Sequence, residues 1–432
     1  MNIRNTSVSG LLQRLFLCLA LVLPAGCGGH PKYVLTPVAD TTPGSDRVEM
    51  LIATMRSRST VPGEMFTGER ARVPAFAEMT VSLPKVRKVG DVAWPKKLPS
   101  NPETDFATLK ADVIDNDAAK RWLSASVKKS PDRSVLVFVH GFNNRYEDSV
   151  YRFAQIVHDS RVHSAPVLVT WPSRGSLLAY GYDRESTNYT RNALETLFQY
   201  LAKDGEVKEV SVLAHSMGNW LTLEALRQMA IRNGGLPAKF QNVMLAAPDV
   251  DVDVFRSQIE DMGDQHPRFT LFVSRDDRAL AFSRRVWGDI PRLGAIDPET
   301  APYKQELADY NISVIDMTKV KAGDDLHHSK FAESPEVVQL IGARISEGQT
   351  LTDSRVGLGD TILAGTTGVA AAAGSAAGLV LTAPVAIIDA DTRDNYASHV
   401  SGLAGQSDGK QKIAVKDCKS TSTADPACRA SN

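Results

Sequence analysis

The sequence lacks several features that mark whole classes of protein. None of its four cysteines lies between residues 28 and 417, so the middle of the chain is neither a disulfide scaffold nor a cysteine-ligated zinc fold. Its 49 basic and 50 acidic residues leave a net charge of −1, which argues against a nucleic-acid partner. It has no phosphate-binding P-loop, dinucleotide-binding glycine motif, HExxH zinc motif or internal repeat. We therefore expect chemistry that needs no cofactor and no metal.

The composition is that of a globular protein. The 432 residues are 43% apolar and 23% charged, which argues against wholesale disorder and against a membrane protein with many spans. The length allows one large domain or two ordinary ones.

Acidic residues are also missing from the first 39 positions. Two arginines precede an apolar run at residues 15–23, and small residues then lead to Cys27. This order is typical of a secretory signal peptide, because nine apolar residues are too few to span a bilayer as a helix. We predict a signal peptide over residues 1–26 and a tether over residues 27–46. Ordinary signal cleavage near Ala25 is the alternative.

The end of this segment resembles a bacterial lipoprotein signal, in which small residues lead to a lipid-bearing cysteine. The resemblance implies a diacylglyceryl group and an amide-linked acyl chain, such as palmitate, on Cys27. Two chains anchor a protein stably in a bilayer, whereas one alone binds marginally. Gly28 follows the cysteine, and in such lipoproteins a residue other than aspartate favours the outer membrane. We therefore expect a lipid-anchored protein of the bacterial cell envelope that faces the periplasm.

Apolar runs and helical patterns alternate from residue 134 onward, after two strands and a loop-rich connection. Continuous apolar runs indicate strands buried on both faces, and strands that alternate with helices indicate a parallel sheet with helices on both faces. We predict an α/β domain over residues 47–347. Its predicted strands are 48–57, 77–83, 134–139, 167–170, 210–214, 243–246, 269–273 and 312–315. Its predicted helices are 146–161, 184–203, 217–231 and 333–346, and its predicted loops are 59–74 and 84–105.

The C-terminal part of the chain has a different composition. Residues 348–388 form an Ala/Gly-rich apolar segment, and residues 361–388 carry no charge. We predict a helical hairpin there that packs on the domain, on a second copy of the chain or on a membrane surface; a membrane span and disorder are the alternatives. Residues 389–432 are predicted to be a disordered polar tail, in which Cys418 and Cys428 could pair in an oxidising compartment.

The strongest chemical signal is the segment Ala214-His215-Ser216-Met217-Gly218, which follows an apolar strand and opens a helix. A serine at a sharp strand-to-helix turn is the nucleophile elbow of α/β hydrolases. Small residues two positions before and after it let the strand and the helix pass close to each other. We predict Ser216 as a nucleophile; the alternative is a serine that only caps the helix.

A second signal is the segment His140-Gly141-Phe142-Asn143-Asn144, directly after the strand at residues 134–139. In α/β hydrolases, the loop after this strand and the residue after the nucleophile each supply a backbone N–H to the oxyanion hole. These donors are predicted to be Phe142 and Met217. We expect His140 to have a structural role, because the loop turns on it.

A serine nucleophile needs a base, and the base needs an orienting acid. In this fold the chain order is serine, acid, histidine. His327 and His328 follow the last strand, and we predict His328 as the base with His327 as the alternative; without further ligands the pair is not predicted to bind a metal. Asp277, after the strand at 269–273, is the predicted acid. The alternative acids are Asp276 and Asp249, and weaker candidates are Asp251 and Asp253.

The ordered motifs resemble a bacterial family of α/β hydrolases of unknown function. They are VFVHGFNN, TWPSRG, LAHSMGN, LAAPDVD, SRDDRAL and HHSKF, and they run to about residue 331. The resemblance implies an α/β-hydrolase fold and an esterase-like or lipase-like serine hydrolase, but it does not imply a substrate. From the predicted catalytic residues, we expect cleavage of a small acyl ester through an acyl-enzyme. The competing prediction is a non-catalytic protein of the same fold that binds a partner in the envelope.

Several residues near these motifs have no settled role in the sequence. Trp171 follows a strand and either lines an acyl pocket or is a packed aromatic at the strand end. Tyr180, Tyr182 and Asp183 are predicted to lie on the rim of a pocket, because they follow the carboxyl end of the same strand.

Overall fold

The computed structural model describes residues 30–346 apart from positions 40, 41, 43, 44, 62, 264 and 265. The predictions for the signal peptide, Cys27, residues 348–388 and the polar tail therefore lie outside the described residues. Within the described range, no helix is both long enough and apolar enough to cross a membrane.

A nine-stranded sheet forms the centre of the described chain, in the order β3-β2-β1-β5-β4-β6-β7-β8-β9. Strand β2 is antiparallel to β1 and β3, and the other neighbours are parallel. The strands are β1 Asp46–Arg58, β2 Phe66–Leu83, β3 Ala107–Ile114, β4 Ser134–Val139, β5 Ala165–Thr170, β6 Glu209–His215, β7 Phe240–Ala246, β8 Arg268–Val273 and β9 Ser313–Asp316.

Helices cover both faces of this sheet. They are α1 Asn116–Lys129, α2 Tyr146–Ser160, α3 Tyr180–Lys203, α4 Met217–Asn233, α5 Val252–Met262, α6 Arg278–Val286, α7 Tyr303–Asp309, α8 Lys330–Glu333 and α9 Pro335–Ser346. Helices α1, α3, α4 and α5 contribute to the apolar core on one face, and α2 and α9 contribute to the core on the other. Every residue of β4 is buried, as a strand between two helical layers requires. The predicted mostly parallel α/β architecture is confirmed.

The N-terminal hairpin differs from the prediction. Strand β2 begins at Phe66, inside the predicted loop at 59–74, and pairs with the far end of β1 through a register shift after Thr54. Gly68 lies in this part of β2, and a Cβ there would come within 2.8 Å of the Arg174 Cα. Glycine residues favour a loop prediction at 59–74. Gly68 is needed for a different reason, because two backbone segments lie too close together for a side chain.

Part of the predicted tether packs on the domain. The His30 ring stacks on Trp94 with a centroid distance of 3.8 Å. Val34 and its neighbour Leu35 are fully buried, and the Tyr151 hydroxyl donates to the Val34 carbonyl over 2.9 Å. From residue 30 onward, the described part of this segment therefore lies against α2, because it offers apolar side chains that the domain can bury.

Candidate active site

The sharp turn between β6 and α4 presents Ser216. Its backbone angles, φ of +51° and ψ of −122°, lie outside the regions that residues other than glycine ordinarily adopt. Such a conformation costs about 1–3 kcal/mol and persists only where the surroundings impose it. Here the Ser216 N–H donates to the Ala246 carbonyl at 2.9 Å, and the Ser216 carbonyl accepts from the Asp249 N–H at 3.2 Å. Strand β7 and the loop after it therefore hold the turn.

Two residues of α4 explain why the turn can form. A Cβ on Gly218 would lie 2.3 Å from the His140 carbonyl oxygen, so only glycine lets α4 pass this close to the end of β4. The buried Asn219 amide donates to the carbonyls of Ser216 and Ala246 at 3.0 and 2.9 Å. In the sequence, Asn219 belongs to a motif but has no predicted role. The one sequence feature that indicates its role is an amide side chain directly after the turn.

The loop after β4 crosses the nucleophile turn. A Cβ on Gly141 would lie 2.9 Å from the Ser216 Cβ, which shows how close the two segments are. Within the described residues, neither the Phe142 N–H nor the Met217 N–H donates to another backbone or side-chain group. Both predicted oxyanion donors are therefore left available to a ligand.

The His140 side chain makes hydrogen bonds that hold the loop after β4 in place. It is buried, its Nδ1–H donates to the Gly141 carbonyl at 2.8 Å, and its Nε2 accepts from the Trp171 N–H at 3.2 Å. Burial, with the nearby Arg56 guanidinium, lowers the pKa of His140 to about 3, so the ring is neutral. Trp171 is fully buried and stacks on the His140 ring at 4.8 Å. Both residues are therefore structural, and Trp171 is a packed aromatic rather than a pocket wall.

A buried cation ties the loops after β4 and β5 together. Arg56 is 1% exposed, and its guanidinium donates to the Ser173 carbonyl at 2.7 Å and the Asn144 carbonyl at 2.8 Å. Burial lowers its pKa to about 10, against the attraction of Asp183. Asp183 is itself buried and accepts from the Ser173 hydroxyl at 2.5 Å. The structure thus corrects the prediction for Asp183, which lies beneath the loops and not on a pocket rim. Arg56 was not predicted at all.

The predicted base and acid are paired. The His328 Nδ1–H donates to Asp277 Oδ2 at 2.6 Å, and Asp277 Oδ1 accepts from the Leu280 N–H at 2.9 Å, which caps α6. The Asp277 side chain is fully buried and that of His328 is 12% exposed. Burial lowers the pKa of His328, but the Asp277 carboxylate outweighs it, and the net pKa is raised. An imidazolium at this position is therefore stabilised.

His328 lies beside the nucleophile turn. The His215 Nε2–H donates to the His328 carbonyl at 3.2 Å, and the two rings are 4.7 Å apart at their centroids. His215 is the residue directly before Ser216. Burial, followed by repulsion from His328, holds the pKa of His215 well below its usual range. A neutral His215 thus acts as a hydrogen-bonded spacer between the turn and the base.

The alternative base and the alternative acid are paired with each other. The His327 Nδ1–H donates to Asp276 Oδ2 at 2.8 Å, and the other Asp276 oxygen accepts from the buried Lys330 ammonium at 2.7 Å. Burial would raise the pKa of Asp276, but the Lys330 ammonium, Ser274 and His327 outweigh it and lower the pKa. The two adjacent aspartates therefore pair with the two adjacent histidines in order. We call Asp277 and His328 the inner pair, and Asp276 and His327 the outer pair.

The remaining alternative acid has other partners. Asp249 is buried, and its two oxygens accept from the Tyr180 hydroxyl at 2.8 Å and the Ser283 hydroxyl at 2.5 Å. Burial raises the pKa of Tyr180 to about 12. Asp251 caps α5, and Asp253 pairs with an arginine. The structure therefore brings none of these three carboxylates into hydrogen-bond contact with a histidine. The described residues also contain no group of three or more metal-ligand side chains.

The chain is similar to known proteins along much of its length. A family model described as "Alpha/beta hydrolase of unknown function (DUF900)" matches residues 115–344, more than half of the chain. An uncharacterized protein of Nostoc sp. (alr1448) is 24% identical over 151 residues, which cover 29% of this chain and 39% of that protein. The chain thus spans about two fifths of the length of this curated relative.

A solved structure from a study of two fungal esterases of Rhizomucor miehei is 11% identical to this chain. The superposition has a TM-score of 0.31 and covers 81% of this chain and 94% of the esterase chain. Together with the sheet described above, the family match confirms the predicted α/β-hydrolase fold.

Proposed function

The chain belongs to this family of α/β hydrolases, and we propose that it is a serine hydrolase that cleaves an acyl ester. In the proposal Ser216 is the nucleophile, His328 is the general base and Asp277 orients the base. The observation that carries it is the buried 2.6 Å contact between His328 and Asp277 beside a serine held in a strained turn. A histidine oriented by a buried carboxylate supplies the base and the acid that a serine nucleophile requires.

The reaction proceeds through an acyl-enzyme. The Ser216 oxygen attacks the ester carbonyl carbon while His328 Nε2 takes the hydroxyl proton. The carbonyl oxygen becomes an oxyanion that accepts from the Phe142 and Met217 N–H groups, and each such donor is worth a few kcal/mol in the transition state. The carbon–oxygen bond to the alcohol then breaks, and His328 gives its proton to the alcohol. Water repeats the sequence and releases the carboxylic acid.

The outer pair is the alternative base and acid. His327 could serve only with Asp276, whose charge already neutralises the Lys330 ammonium. Among the described residues, the inner carboxylate has no such cation within hydrogen-bond distance, and it is fully buried. Its negative charge is therefore available to an imidazolium on His328.

The proposal includes the site of action. A lipid on Cys27 would hold the domain at the membrane surface of the bacterial envelope, facing the periplasm. The support is the order of charges, apolar residues and small residues before Cys27.

Covalent labelling with a fluorophosphonate probe tests the nucleophile. Wild type and Ser329→Ala, a matched serine next to the base, should label equally, and Ser216→Ala should neither label nor hydrolyse p-nitrophenyl esters. Its melting temperature should stay nearly unchanged, because the Ser216 hydroxyl makes no hydrogen bond to another described residue that the substitution would remove. Labelling of Ser216→Ala at the wild-type rate would refute the assignment. A wild type that neither labels nor hydrolyses any ester would favour the non-catalytic binding protein.

A further inference from the structure

Exposed apolar side chains cluster around the candidate site. We call the apolar rim the set of Leu177, Leu178, Phe282, Val286, Trp287 and Leu326. Leu178 is 100% exposed and Phe282 is 55% exposed. Single exposed apolar residues are ordinary on a protein surface, but a contiguous group marks an interaction site.

Contacts show that the three segments of the rim are neighbours. The Trp287 Nε1–H donates to the Tyr180 hydroxyl at 3.0 Å, which joins the end of α6 to the turn containing Leu177 and Leu178. The Arg278 N–H donates to the Leu326 carbonyl at 2.9 Å, which joins the start of α6 to the loop before the base. The rim is therefore one surface.

The same surface borders the reacting groups. The Tyr180 ring contacts the Phe142 ring of the oxyanion loop edge-on, with centroids 5.0 Å apart. Asp277, which pairs with His328, also caps the first turn of α6. Any surface that binds to the apolar rim therefore also lies against the entrance to the candidate site.

Helix α6 is amphipathic across its short length. Leu280 and Ser283 are buried, whereas Phe282 and Val286 are one turn apart and exposed. Side chains four positions apart lie on one face of a helix. Its solvent face therefore presents large apolar groups that nothing in the described residues covers.

Arginines accompany these apolar groups. Residues 278–290 contain three arginines and one aspartate, and that aspartate, Asp289, pairs with Arg284 at 3.2 Å. Arg285 lies on the solvent side of α6. Asp324 and Asp325 directly precede Leu326 and oppose this charge, so the positive excess is confined to α6. Apolar aromatic groups next to arginines are the composition of helices that lie in the surface of anionic membranes.

We propose that the apolar rim inserts into the surface of an anionic phospholipid bilayer, with the entrance to the Ser216 site turned toward the lipid. Leu178 and Phe282 enter the boundary between headgroups and acyl chains, and Arg285 contacts lipid phosphates. Burial of the apolar side chains supplies the main driving force. The proposal concerns binding alone and holds whether or not Ser216 is a nucleophile. If Ser216 is the nucleophile, the site receives esters directly from the membrane.

Sedimentation with sucrose-loaded vesicles tests this proposal. All proteins are the full chain with Cys27→Ser, so that no lipid can be attached at that position. With vesicles of phosphatidylcholine and phosphatidylglycerol, the double variant Leu178→Ser, Phe282→Ser should lower the partition constant at least about tenfold. The control is Val86→Ser, Ile231→Ser. Ile231 is 57% exposed near the end of α4, which runs away from the site, so the control should stay within about twofold.

A second comparison tests the charge. Arg285→Gln should lower the partition constant about fivefold on anionic vesicles and leave it unchanged on pure phosphatidylcholine, because each arginine near an anionic surface contributes about 1 kcal/mol. Arg268→Gln, at the start of β8 and so at the opposite edge of the sheet, should change neither. Ser216→Ala should bind like the parent, which separates this proposal from the catalytic one.

Four results would overturn the proposal. The parent could fail to bind anionic vesicles, the rim variant could bind as well as its control, or pure phosphatidylcholine could bind the parent as tightly as the anionic mixture. Loss of binding in both double variants would also contradict it, because an effect shared with the far edge is not specific to the rim.

Discussion

Asp276 and Asp277 are adjacent, yet their substitution should have opposite consequences. Asp277→Asn keeps the cap on α6, because asparagine caps a helix as well as aspartate does. It removes the charge that holds the His328 tautomer and stabilises its imidazolium. We expect kcat for ester hydrolysis to fall by about 10³–10⁴. The melting temperature should change little, because the cap on α6 is kept.

Asp276→Asn should instead destabilise the protein. The Lys330 side chain is 1% exposed, and Asp276 is its only carboxylate partner among the described residues. Lys330 would keep its bonds to Ser274, Met317 and Thr318 but would lose its counter-ion. A hydrogen bond to a buried charge is worth about 1–3 kcal/mol, which corresponds to a drop of about 2–8 °C in Tm for a domain of this size. The inner pair stays intact, so kcat should fall less than about threefold.

The assay follows kcat with a soluble p-nitrophenyl ester and Tm by circular dichroism for both variants. Asp277→Ala is the control for the cap, because it should lose about 1 kcal/mol of stability beyond Asp277→Asn. The reasoning is refuted if Asp276→Asn abolishes turnover while Asp277→Asn is mild. That outcome would make the outer pair, with His327, the catalytic one.

Three further predictions follow from the same structure. The pKa of His328 is raised, so kcat/KM should increase with pH through a midpoint above about 6.5, and Asp277→Asn should move that midpoint to lower pH. By linkage, the stability from the protonated pair is full below the unfolded pKa and is lost as pH rises through the folded pKa; a midpoint unmoved by Asp277→Asn contradicts the pairing. Gly218→Ala should abolish fluorophosphonate labelling, since its Cβ would lie 2.3 Å from the His140 oxygen, whereas Gly205→Ala, with open space around it, should label normally. Cys27→Ser should replace stable anchoring by the weaker, reversible binding of the apolar rim, or trap the precursor, and mass spectrometry showing an unmodified mature N-terminus in the wild type would count against the lipid.

The central strands could be predicted from the sequence because their physical cause is local. A strand buried on both faces must be continuously apolar, as at residues 134–139. Helix α1 was missed for the opposite reason. Its core face is the narrow stripe Ala119, Leu123 and Val127 among lysines and serines, and the Asp115 cap was its clearest signal.

The buried arginine could not be predicted in the same way. A charged residue in a strand ordinarily faces water. Arg56 is buried because carbonyl groups from the loops after β4 and β5 receive its protons. Those loops lie about 90–120 positions away in sequence, and nothing near Arg56 indicates that they will close over it. The contacts by which Arg56 holds the loop after β4 are therefore visible only in the three-dimensional structure.

The doubled histidine and the doubled aspartate posed a different problem. Besides the candidates near Asp249, the sequence offers two adjacent histidines and two adjacent aspartates without any periodicity that separates them. The backbone separates them, since His327 adopts a left-handed φ of +56° and each histidine pairs with its own aspartate. The order of the chain thus limits the predicted base to two histidines, and the structure pairs each of them with a different aspartate.

Charge then distinguishes the inner pair from the outer one. Asp276 lies between the Lys330 ammonium and His327, so a proton gained by His327 would be held by a carboxylate that already serves another cation. Asp277 accepts from a backbone N–H and from His328, and its negative charge is free to stabilise a proton on that histidine. In the proposed mechanism, Lys330 therefore matters without touching the reacting atoms. It neutralises the outer carboxylate, and through Ser274 and the Met317 carbonyl it joins the loops after β8 and β9, which supports the segment that carries Asp277.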